Sequence, residues 1–107
     1  MTAGAAPAKV FLVVTPEVVT RGNLVHLSGS AGSCRRGNTV ILISRAFPAT
    51  HEFAGVPALL TKVMSGGAFK VVTRIPLHKH SGLYHITGRC GGGNLGFYGS
   101  LRVLAHV

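Results

Sequence analysis

Short apolar stretches bounded by Gly, Pro, Ser or Asn recur along this chain about every 8 to 15 positions. None of them carries the three-to-four spacing of a useful helix. A chain punctuated in this way buries its apolar residues as short strands packed face to face, in a sandwich or a barrel. The first stretch is Val10–Val14. Pro16 and Gly22 mark a turn across Thr15–Asn23, and Leu24–Ser30 follows. Ala31–Gly37 turns into Asn38–Ala46, whose centre, Val40–Ile43, is uninterrupted core. Phe47–Gly55 is expected to be a long loop. Val56–Met64 is a fourth strand, although Leu59-Leu60-Thr61 also suits a helical turn. Ser65-Gly66-Gly67 is a hairpin turn, because glycine adopts positive φ at little cost.

Ala68–Ile75 gives the clearest local signal. Phe69, Val71, Thr73 and Ile75 share one face, and Lys70 and Arg74 share the other. That period of two marks a half-buried strand. Pro76–Gly82 turns, Leu83–Cys90 is the sixth strand, Gly91–Gly96 turns, and Phe97–Ala105 is the seventh. Seven strands in about 100 residues match the count of a constant-type immunoglobulin-like Greek-key sandwich. The expected organisation is a flexible N-terminal segment, 1–9, before one all-β domain, 10–107. Ser81-Gly82-Leu83-Tyr84 supports the fold. It resembles the Gly-x-Tyr approach to the sixth strand of such sandwiches, where the tyrosine hydroxyl bonds back to the corner backbone. The position of the antibody-type cysteine, two residues on, holds Ile86, and the chain has no Trp. The expectation is therefore the broader immunoglobulin-like class.

Composition narrows the chemistry. Eleven Lys and Arg stand against two acids, Glu17 and Glu52, for a formal net charge of +9, and Asp is absent. Glycosidases usually need two facing carboxylates. Calcium and magnesium sites are built mainly from carboxylates. Ser-His-Asp catalysis needs an acid to orient its histidine. An enzyme is not expected, nor is a cofactor. With 47% hydrophobic residues the chain is not disordered despite its charge. No apolar run reaches the roughly 18 to 20 residues of a membrane span. Met1–Ala8 has no signal-peptide pattern, yet Ala3–Ala8 looks like the small-residue start of a mature exported protein.

Alternate connections of a sandwich gather at opposite ends. Ala31–Gly37, Ser65–Gly67 and Gly91–Gly96 fall at one end, and both cysteines lie there. The second and sixth strands face each other across the sheets, so Cys34 and Cys90 are expected to form a disulfide. Two free thiols are the alternative. Arg35, Arg36, Arg89 and Asn94, with open glycine backbone at Gly91–Gly93, form a candidate anion site beside the bridge. Solvated turns with arginines for solubility are the plainer reading. Thr15–Asn23, Phe47–Gly55 and Pro76–Gly82 fall at the other end. There His51, Glu52, His78 and His80 are weak candidates for a metal site, and none is assigned. His26 and His85 alternate with apolar neighbours and are expected to face outward.

Three segments together carry a family resemblance: VTPEVVTRGNLVHLSGSAGSC, GGAFKVVTRIP and LYHITGRCGGGNLG. The chain resembles small exported immunoglobulin-like domains of actinobacteria over Val13–Leu104. The resemblance implies a secreted or cell-surface binding or structural module without catalytic activity. One alternative is a basic domain that binds polyanions, either cell-wall polymer or nucleic acid. Sequence-specific nucleic-acid recognition is not expected, because no basic strand is interleaved with stacking aromatics. Another is a small-molecule carrier similar to neocarzinostatin, although this chain has two cysteines for the four of that family and is basic where they are acidic. The expected partner is an anionic surface or an acidic protein. The expected state is a monomer or an edge-paired homodimer.

Overall fold

The computed structural model describes residues 9–106. Its strands are β1 (Val10–Thr15), β2 (Val18–Thr20), β3 (Leu24–Ala31), β4 (Thr39–Ile43), β5 (His51–Phe53), β6 (Val56–Lys62), β7 (Ala68–Arg74), β8 (Gly82–Cys90), β9 (Gly93–Asn94) and β10 (Gly99–Leu104). A short 3₁₀ turn at Ser65–Gly67 leads into β7. The smaller sheet has the order β1-β3-β7, and the larger has β2-β10-β8-β4-β6-β5. β9 pairs with the end of β8, beyond the part that β10 covers. Residues 1–8 of the expected N-terminal segment lie outside the described residues.

The expected all-β sandwich is present, and each sheet buries one face. Val25 and Leu27 of β3 and Phe69 of β7 meet Val40 and Leu42 of β4, Ile86 of β8, and Leu101 and Val103 of β10. Each such side chain contributes about 1.5–3 kcal/mol by leaving water. The alternation in β7 is realised. Phe69 and Thr73 are buried, while Lys70, Val72 and Arg74 are exposed.

Three local expectations need correction. Val18–Thr20, read as part of a turn, is a strand that pairs in parallel with β10. The chain leaves the smaller sheet after Thr15 and joins the larger one past Pro16 and Glu17. Three residues are too few to show a period, but Val-Val-Thr is β-branched and favours strand. His51–Phe53, inside the expected long loop, pairs with the start of β6. Third, β6 joins β4 in the larger sheet, so the strands do not divide as in a constant-type domain. The run Ala58-Leu59-Leu60 has apolar side chains on both faces, and β6 is half-covered on each.

Two large rings define the core near the cysteine end. Phe69 and Phe97 lie 6.2 Å apart between ring centroids. Phe97 covers Gly88, where any Cβ would collide with its ring. Gly29, at φ 156°, lies opposite Phe69 in the register, and a Cβ there would strike the Phe11 carbonyl of β1.

The opposite end is held by side chains on backbone carbonyls. Arg21 donates from Nε to Ala105 O at 3.1 Å and from Nη1 to Lys79 O at 3.2 Å. The Tyr84 hydroxyl donates to His80 O at 2.5 Å, which realises the expected tyrosine corner. Tyr84→Phe should cost about 1 kcal/mol, the net worth of one hydrogen bond, as read by urea unfolding.

Candidate functional site

The cysteine end is assembled as the strand order requires. Cys34 follows β3, Cys90 closes β8, and they are bonded with a Cα–Cα distance of 6.4 Å. Gly37 N donates to Val63 O, and Val63 N donates to Asn38 O. These bonds tie the Cys34 turn to the chain leading into the 3₁₀ turn. Arg35 and Arg36 are exposed in the turn after Cys34. Asn94 lies on β9 directly opposite Arg89, and its Oδ1 accepts from Gly96 N at 2.8 Å. A cleft of about 320 Å³ beside the bridge is lined by Ser33, Cys34, Cys90, Gly93 and Asn94 among others.

Arg89 is the exception within this cluster. Its guanidinium donates to Gly92 O at 2.9 Å and lies 5.1 Å from the centroid of the Phe53 ring. In register, β4 and β6 stand between β8 and β5. Three strand spacings come to about 14 Å in a flat sheet. Arg89 is level with Leu60 through Ile41, whereas Phe53 is level with Val56, so in a flat sheet they would also lie about 13 Å apart along the strands. The contact therefore requires the β5–β6 edge to curl over the outer face of the larger sheet. Ala58 agrees: its register with Ile43 places it on that outer face, yet it is only 1% exposed. Arg89 belongs as much to this curled face as to the cysteine end.

The histidines do not converge. His51 opposes Ala58 at the edge of the larger sheet, and His78 and His80 are exposed between β7 and β8. Among the described residues no group of three or more His, Cys, Asp or Glu could hold a metal ion. His26 and His85 face outward as expected.

The outer face of the larger sheet carries a feature that the strand-by-strand reading missed. The curl creates a trough of about 440 Å³, lined by Ile43, Ser44, Arg45, Val56, Leu83, Tyr84, His85 and Thr87. Leu83 is 52% exposed and Tyr98 is 66% exposed. The Tyr98 ring stacks on His85 with centroids 4.5 Å apart. Arg102 opposes Leu83 in register. The signal was present in β8, where Leu83, His85, Thr87 and Arg89 alternate with Ile86, Gly88 and Cys90.

Few of the cations are neutralised within the chain, which has two acidic side chains for eleven Lys and Arg. Arginines instead bond to carbonyl oxygens, as Arg21, Arg74 and Arg89 do. Among the described residues Arg35, Arg36, Arg45 and Arg102 make no side-chain hydrogen bond of this kind.

No protein-family model matches the sequence, and no curated protein matches it. Solved structures do match in shape. The alkylpurine DNA glycosylase AlkC of Pseudomonas fluorescens, bound to DNA with an abasic-site analogue, aligns with 92% of this chain at TM-score 0.58 and 19% identity. The native alpha-2-macroglobulin of Escherichia coli aligns with 94% at TM-score 0.60 and 16% identity. A tetra-tandem repeat from the extending region of a large adhesion protein aligns with 92% at TM-score 0.57 and 15% identity. This chain spans 30%, 6% and 24% of those three chains, respectively. At such identities the likeness concerns fold alone, and it agrees with an immunoglobulin-like β-sandwich.

Proposed function

We propose that this protein is a secreted or cell-surface module that binds or spaces other molecules and does not catalyse a reaction. The Cys34–Cys90 bridge carries the reading. Structural disulfides persist in oxidising compartments and are rare where thiols are kept reduced. The resemblance to exported actinobacterial domains supports the same location, as does the shared fold with a repeat of an adhesion protein. The fold is neutral on catalysis, since it recurs in a DNA glycosylase. The non-catalytic reading rests on the acids: Glu17 and Glu52 are both exposed, and no Asp joins them. Labelling intact host cells with a membrane-impermeant amine reagent tests the location. The protein should be labelled on cells or recovered from the medium. Recovery only from the cytoplasmic fraction would overturn the reading.

A second reading is polyanion binding at the cysteine end. It is favoured by exposed Arg35 and Arg36 beside the cleft that holds Asn94. The triple variant Arg35→Ala, Arg36→Ala, Arg89→Ala should elute from heparin at clearly lower salt than the parent. Unchanged retention rejects the site. Self-association is disfavoured at low ionic strength. β1 offers an uncharged free edge for a second copy, but two chains of +9 repel each other. Sedimentation at low salt should give a monomer.

A further inference from the structure

We propose that the trough on the outer face of the larger sheet is a docking site for an acidic protein segment bearing apolar side chains. Its lining combines the apolar Ile43, Val56 and Leu83 with the polar Ser44, His85 and Thr87. Cations flank it. Arg45 lines the trough, and Arg102 stands beside Leu83 on β10. Neither Glu17 nor Glu52 is among its lining residues. Apolar side chains with Arg and Tyr beside them, and no acid in the lining, match the composition of protein-binding patches. Tyr98, stacked on His85 and largely exposed, supplies the rigid aromatic of such a rim.

The occupant follows from charge and shape. Among the described residues neither the Arg45 nor the Arg102 side chain makes a hydrogen bond, although Glu17 lies next to Arg102 across the β2–β10 pairing. A partner's carboxylates would complement both arginines. A second copy of this chain brings +9 and is repelled. A bilayer presents a flat surface, while Ile43 and Val56 are only partly exposed within a concavity. A glycan could bond Ser44, His85 and Thr87 but would leave Ile43, Val56 and Leu83 against its hydroxyls, so it uses the apolar lining less well than a Leu or Phe side chain. A side chain such as Leu or Phe fits the same residues, with acidic neighbours reaching the two arginines.

This rests on the reading of the chain as a binding module. Surface location and the bridge can stand while this inference fails, so the two are separately testable. The probe is a short capped peptide alternating Glu with Leu and Phe, titrated into the protein and followed by amide chemical shifts. Saturable shifts are expected at Ile43, Arg45, Leu83 and His85. Arg45→Ala with Arg102→Ala should weaken binding by about tenfold, and Leu83→Ser by a similar factor. All three residues are exposed, so the variants should keep the parent unfolding midpoint. Leu83→Ser should leave heparin retention unchanged, which separates the trough from diffuse charge. Polygalacturonate and phosphatidylglycerol vesicles serve as the competing anions. The proposal is overturned if the peptide shifts fall at Arg35, Arg36 and Asn94. It is also overturned if either competing anion saturates the trough residues and the peptide does not.

Discussion

Cys34→Ala combined with Cys90→Ala should lower the unfolding free energy by about 4 kcal/mol. The bridge closes a loop with a sequence separation of 56, and the chain-entropy model assigns about that much to a loop of this length. The turn after β3 is held by Cys34 N donating to Ala31 O, by its bonds to Val63, and by the bridge itself. The unbridged chain should also show a steeper denaturant dependence, because its unfolded state expands further. Urea unfolding of the parent and the double variant measures both. A loss under about 1 kcal/mol would mean that the sandwich is closed by its core and that the bridge adds little. For a small domain with total stability of about 5–15 kcal/mol, the predicted loss removes from about a quarter to most of it.

Phe69→Ala should cost about 3–5 kcal/mol, the usual range for truncating a buried aromatic. Phe69 is 1% exposed and packs on Phe97, which in turn covers Gly88 in the facing sheet. Phe97 fills the space that Gly88 leaves between the sheets, and Phe69 packs against it. Collapse cannot easily refill that space, since β1, β3 and β8 are fixed by their ladders. The cost should therefore lie in the upper half of the range. A Phe69→Leu variant should recover a large part of it, because most of the ring volume is replaced. If both variants unfold at the parent's urea midpoint, the ring pair is not central to the core.

Most of the fold was legible where an element is long enough to show a period. β7 reads directly from Phe69, Val71, Thr73 and Ile75 against Lys70 and Arg74. The bridge was legible because strand order alone brings the ends of β3 and β8 to one side. β2 and β5 were not legible, for three residues show no period and their partners are set by tertiary pairing. The sheet chosen by β6 was hidden by Ala58-Leu59-Leu60, which is apolar in both directions. The site was only partly legible. Arg35, Arg36 and Asn94 lie at the cysteine end as the topology implies. Arg89 turns toward Phe53, a contact created by the curl of the sheet and by nothing local to either residue. The trough depends on the same curl, and only the outward residues of β8, Leu83, His85, Thr87 and Arg89, signal it in the sequence.

The most direct test of the account is the state of the two thiols in the protein taken from outside its own cells. Free thiols are alkylated before any lysis, the protein is digested without reductant, and the peptides are identified by mass spectrometry. A peptide pair joined through Cys34 and Cys90, with neither cysteine alkylated, is expected. Protein found only inside the cell with both cysteines alkylated would contradict it.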